Sequence, residues 1–210
     1  PPTPTPGPTF IPKKVINFHD GQWGSLWIHN ATAMYIVENG YGYPTEEIQG
    51  TTGTAKLTLV EGDVHVNMEL WRMNIPEWYE EATTSGGVLD LAGATDPSVL
   101  LPEGAKGQVI AFGGQGFYVP TYLAEANPGL VSVLDLPDYV DLFTDPEDPS
   151  KGVLYNCIIG WQCQKLNRAK WFAYGLYDPY NVAEPGSSGA LDAQIVGAVI
   201  AGEPVLSYYW

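Results

Sequence analysis

Two stretches of this chain run in the same order. An apolar helical segment ends at a glycine followed by an acid, Gly62-Asp63 in one case and Gly202-Glu203 in the other. A short extended run follows, and a tryptophan closes it, Trp71 or Trp210. Helix, glycine stop and strand occurring twice in this way predict an α/β chain. Both tryptophans then fall at the carboxyl ends of strands, the edge where open α/β sheets bind ligands. No repeat at the periods of a solenoid is present.

The remaining elements follow from local pattern. Val15 to Phe18 reads as a strand and His19 to Gly24 as a loop. A helix is expected from about Ser25 to the stop signal at Asn39 and Gly40. Thr51 to Val60 predicts a helix ending at Gly62. Val64, Val66, Met68 and Leu70 alternate with His65, Asn67 and Glu69, the pattern of a strand that delivers Trp71. Pro76 to Thr84 is expected to be helical, and Val88 to Gly107 to be a surface connection. Val109 to Phe112 and Phe117 to Val119 read as strand pieces around Gly113, Gly114 and Gly116. Pro120 to Glu125 and part of Leu134 to Leu142 read as helical. Ser187 and Ser188 can cap a helix whose Leu191, Ile195, Val199 and Ile200 form an apolar stripe, stopped at Gly202 before a last strand, Val205 to Tyr209.

Composition removes whole classes of function. With 210 residues and 45% of them hydrophobic, the chain can bury a core, so disorder, collagen and coiled coil are excluded for the whole. Acids outnumber bases 24 to 9, for a formal charge of −15, which repels phosphate backbones and excludes nucleic acid as a partner. No apolar run reaches the roughly 20 residues of a membrane span. The proline-rich opening has the composition of an extended tether, which we assign to residues 1–14. Seven tryptophans are the number that needs an explanation.

Cys157 and Cys163 bracket Gly160 and Trp161. Their spacing fits no zinc site, and the residues alone leave a short disulfide or two buried thiols open. A disulfide would fix Trp161 on a rigid loop, giving with Trp71 and Trp210 three indoles at strand-end or loop positions. Indole faces attract cations, and a quaternary ammonium has no hydrogen to donate, so a cage of aromatic faces is the physical way to hold one. Trp27, Trp78 and Trp171 are expected to be core residues.

The run Gly40-Tyr41-Gly42-Tyr43, the segment Glu61 to Trp71, the loop Cys157-Ile158-Ile159-Gly160-Trp161-Gln162-Cys163 and the ending Gly202 to Trp210 resemble the substrate-binding proteins of ABC osmoprotectant importers, the glycine betaine and proline betaine binders above all. The resemblance spans about Val15 to Trp210. It implies a periplasmic-binding-protein-like type II fold, two lobes with a hinge, divided as residues 15–114 and 115–210. It implies an extracytoplasmic, non-enzymatic receptor, monomeric and peripheral or lipid-tethered to the membrane, that hands its ligand to an ABC permease. No cofactor or metal is implied. Trp71 from the first lobe, with Trp161 and Trp210 from the second, would box the trimethylammonium group, and the N–H groups of Gln162 and Cys163 would bind the ligand carboxylate. Such proteins continue well past the last cage tryptophan, so the first lobe is expected to be incomplete in this chain.

Departures from the pattern bear on the ligand. Relatives that bind glycine betaine often carry a histidine four residues after the first cage tryptophan, where this chain has Ile75. Arg72, Asn74 and Gln115 are candidate replacements from their place in the sequence, and Trp23 is a candidate fourth wall. Glu69 beside the cage would favour a cation such as choline, but strand alternation places it on the surface. Choline and carnitine remain alternatives to glycine betaine. The acidic loop Asp145, Glu147 and Asp148 lacks calcium-loop spacing and reads as a solvated cluster. The run Gly113 to Gly116 matches neither phosphate-binding fingerprint. A secreted glycosidase or carbohydrate-binding module, using aromatic platforms and acids such as Glu69 and Glu77, is the alternative of a different class.

Overall fold

The computed structural model describes residues 13–91 and 114–210. Residues 1–12 of the tether, most of the Val88 to Gly107 connection, the Val109 to Phe112 strand and Gly113 therefore lie outside the described residues. The first half is built on a βαβ unit. Strand β1 (Ile16–Asp20) leads into α1 (Gly24–Tyr41), which returns the chain to β2 (Thr45–Gln49), paired parallel to β1 with Ile16 opposite Thr45. Helix α1 ends where Gly42 takes φ +67°, so that the N–H of Gly42 caps the Glu38 carbonyl and the N–H of Tyr43 caps that of Val37. Helix α2 (Thr52–Glu61) opens on the Thr51 side chain, which accepts from the N–H of Thr54, and closes at Gly62 with φ +82°.

The alternating segment after Gly62 does not form the expected strand. It contributes one parallel bridge, Val66 to Phe18, and then leaves the sheet. The Asn67 side chain accepts from the N–H of Glu69 at 3.0 Å, an Asx turn that breaks the extended run. Trp71 accordingly precedes a 3-10 turn, Arg72–Asn74, rather than ending a strand. Helix α3 (Pro76–Thr84) follows, with proline in its first turn, where a missing N–H costs nothing.

The second half carries a four-stranded sheet in the order β3-β6-β4-β5. Its strands are β3 (Gly116–Tyr118), β4 (Gly152–Tyr155), β5 (Tyr180–Ala183) and β6 (Ser207–Tyr209). β3 runs antiparallel to β6, and the other pairs are parallel. Helix α4 (Thr121–Ala126) and a kinked 3-10 stretch, Val133–Phe143, precede β4. Helices α5 (Gln162–Ala173) and α6 (Ser188–Ala201) are the crossovers from β4 to β5 and from β5 to β6. Strands β2, β4 and β5 and helix α5 were not anticipated from the sequence.

Trp171 on α5 anchors the larger core. It is fully buried and meets Phe117 and Tyr180 edge-on, at ring separations of 5.1 and 5.7 Å. Leu136, Phe143, Leu154 and Leu176 close around it, each worth about 1.5–3 kcal/mol on burial. Trp78 is half-buried. Trp27 corrects the expectation of a core residue: it is 47% exposed, with its indole N–H donating to Asp20 at 2.8 Å. On α6 the apolar stripe is split, for Leu191 is buried and Ile200 is 81% exposed. The acidic loop is also less solvated than expected, because Asp145 is buried and accepts from the N–H of Glu147 and the amide of Asn181.

Side chains tie the halves together. The Trp161 indole donates to the Gly21 carbonyl at 2.9 Å, the Ser188 hydroxyl donates to the Gln22 carbonyl at 3.0 Å, and the N–H of Gln162 donates to the Thr52 hydroxyl at 3.2 Å. Gly160 has φ +95° and passes so close to Thr51 that a Cβ there would lie 2.7 Å from its methyl group. Glycine is thus required twice over at this crossing.

Candidate functional site

A cleft between the halves is lined by residues of both, Trp23 and Trp71 from the first and Trp161 and Trp210 from the second. Trp161 stands at its centre. It is the residue before α5, it is buried, and Cys157 and Cys163 are joined around it in a disulfide with a Cα separation of 5.9 Å. Trp23 packs edge-to-face on one side of it at 5.3 Å and 79°, and Trp210 on the other at 5.2 Å and 78°. Trp210 is itself stacked on Tyr209 at 4.8 Å, which fixes the plane of its ring. Successive near-perpendicular rings make corners rather than a stack, and corners expose faces to a shared space.

Trp71 joins this group through an acid. The indole N–H groups of Trp23 and Trp71 both donate to the same oxygen of Glu69, at 2.9 and 3.0 Å, and the Ser25 hydroxyl donates to it at 3.2 Å. The other oxygen is buried, without a hydrogen bond, 3.2 Å from Nδ1 of His29. The surface placement expected for Glu69 is therefore corrected: its side chain is 18% exposed and lines the cleft. Alternation fails here because the Asx turn at Asn67 ends the strand two residues earlier.

The other anticipated residues separate into lining and supporting positions. Gln162 and Cys163 begin α5 and line the cleft. The Gln162 N–H is engaged by Thr52, whereas among the described residues the Cys163 N–H has no acceptor and points from the positive end of the helix. Ile75 lines the cleft and is 4% exposed. Asn74 lines it as well, but its amide exchanges hydrogen bonds with Gln115, which also accepts from the Tyr208 hydroxyl at 2.8 Å. Gln115 thus sits behind the wall. Arg72 lies over the Tyr79 ring at 5.7 Å, away from the lining.

Several lining residues were missed by sequence reasoning. Thr52 and Lys56 stand one turn apart on α2, and nothing in their spacing says that this helix points its start at the tryptophans. His19 is buried at the end of β1, with Nε2 3.2 Å from the Gly50 carbonyl and Nδ1 3.4 Å from the Asn67 amide. Burial lowers its pKa below the ordinary 6.5, against smaller raising effects of the Gly50 carbonyl and Asp20. Its Nε2 faces the Gly50 carbonyl, which can only accept.

Two sheet-bearing halves joined across a tryptophan-lined cleft have the two-lobed type II binding-protein fold. The chain belongs to the family of substrate-binding domains of ABC-type glycine betaine transport systems, whose family model matches residues 14–210. Solved structures share the fold. A glycine betaine and L-proline ABC transporter binding protein, ProX, from Borrelia burgdorferi matches with a TM-score of 0.68 at 20% identity, over 93% of this chain and 63% of that one. An ABC-transporter choline binding protein in complex with choline matches with a TM-score of 0.65 at 18% identity, over 93% and 59%. Lactococcal OpuAC, closed on glycine betaine, matches with a TM-score of 0.63 at 15% identity, over 94% and 65%. The chain thus spans about six tenths of the length of these relatives.

Proposed function

We propose that this protein is an extracytoplasmic receptor that captures glycine betaine or a related quaternary amine in the cleft and delivers it to an ABC permease. The observation that carries the reading is the arrangement of Trp23, Trp161 and Trp210 in successive perpendicular contacts, with Trp71 tied to Trp23 through Glu69. Each desolvated cation–π contact contributes about 2 kcal/mol. Three walls give about 6 kcal/mol before ordering costs, and micromolar binding takes about 8 kcal/mol. The Glu69 carboxylate behind the indoles supplies further attraction for the ammonium group.

The N–H of Cys163 at the start of α5 is a fitting donor for a ligand carboxylate. The residues before 115 and those after it act as two lobes that the ligand bridges, so that binding stabilises the closed arrangement. Calorimetry with glycine betaine, choline and a neutral disaccharide tests the reading. Saturable binding of a quaternary amine and none of the sugar is the expected result, and the reverse would overturn it.

A further inference from the structure

Lys56 and Glu69 are the ionised side chains lining the cleft, and they form no ion pair with each other. Glu69 is engaged by the indoles of Trp23 and Trp71. Lys56 is half-buried on α2, one turn beyond Thr52, and among the described residues no hydrogen bond or ion pair uses its ammonium group. Thr52 in turn accepts the N–H of Gln162, the residue before Cys163, whose own N–H has no acceptor among the described residues. The positive features of the cleft therefore belong to one neighbourhood, the starts of α2 and α5. Its negative charge belongs to another, behind Trp23 and Trp71.

From this separation we infer that Lys56 is a specificity-determining residue, the cationic contact for a carboxylate on the ligand, and that the cleft selects a zwitterion over a simple cation. The inference rests on the receptor reading above. Lys56 is half-buried as a residue and lines the cleft, and its ammonium group has no protein partner among the described residues. A betaine carboxylate supplies the missing partner while its ammonium end faces the indoles and Glu69. A choline hydroxyl leaves Lys56 unpaired and adds a second positive charge to its surroundings.

Isothermal titration of the intact protein and of Lys56→Met and Lys56→Arg with glycine betaine and with choline tests this, with melting curves as the check on folding. The wild type is expected to bind glycine betaine at least about tenfold more tightly than choline. Lys56→Met should weaken glycine betaine by about tenfold or more and leave choline within about twofold, and Lys56→Arg should recover most of the loss. Equal loss for both ligands, or no loss for glycine betaine, overturns the role of Lys56 while leaving the receptor reading standing. Absence of binding to either ligand by the wild type overturns the receptor reading, and the role of Lys56 with it.

Discussion

Asn74 and Gln115, 41 residues apart, exchange side-chain amide hydrogen bonds of 2.9 and 3.2 Å in both directions. The Gln115 oxygen also takes the Tyr208 hydroxyl, so one amide joins the turn after Trp71 to β3 and β6. Gln115→Leu removes all three bonds and leaves the half-buried Asn74 amide and the hydroxyl of the buried Tyr208 without those partners. The expected loss is about 2 kcal/mol, or about 4–8 °C in melting temperature for a chain of this size. Thermal and urea unfolding measure it, and an unchanged midpoint would show that water replaces the amide at no cost.

Trp161 packs edge-to-face against both Trp23 and Trp210, so its truncation would open the proposed cage on two sides. Trp161→Ala is expected to weaken a trimethylammonium ligand at least about 30-fold, the equivalent of about 2 kcal/mol. Trp161→Phe keeps an aromatic face and loses the indole donor to Gly21, and a smaller loss is expected. Titration calorimetry distinguishes the two. Wild-type affinity in the alanine variant would end the cage assignment.

The disulfide closes a short loop, and in the chain-entropy view it stabilises by about 2.4 kcal/mol. Peptide mapping without reductant should find Cys157 linked to Cys163, and reduction should lower the urea midpoint. Two freely alkylated thiols would contradict the bond.

His19 gives the protein a pH response. Its folded pKa lies below the unfolded value of 6.5 because burial disfavours the charged ring. The unfolded chain therefore binds the proton more readily, and the stability from neutral His19 is complete above pH 6.5 and lost as pH falls toward the folded pKa. Urea midpoints are expected to fall between pH 7.5 and pH 5.5 in the wild type and to change less in His19→Gln. Parallel slopes for the two proteins would place the response elsewhere.

What could be read from the sequence was whatever local chemistry controls. Pro76 and the capping Ser187 mark the starts of α3 and α6, and Gly62 and Gly202 stop α2 and α6, so those limits were legible within a residue or so. The second strand, Thr45–Gln49, was not, for its residues are Thr, Glu, Glu, Ile and Gln and it is held by pairing to β1 rather than by an apolar face. At Glu69 the alternating pattern was real, but one Asn67 side chain overrode it. Lys56 was invisible for a different reason: the role proposed for it rests on which helix starts meet across the cleft, a matter of tertiary placement that no local pattern encodes.

The row of Trp23, Trp161 and Trp210 is also a chromophore. Neighbouring rings about 5 Å apart and nearly perpendicular couple their electronic transitions, and the fixed handedness of the row gives them circular dichroism in the near ultraviolet. Trp27, exposed on α1, and Trp171, sealed in the larger core, stand outside that coupling and act as steady references. On the receptor reading proposed above, a guest seated among the three rings should alter their emission without disturbing Trp27 or Trp171. Emission would then report occupancy of the cleft with no label attached.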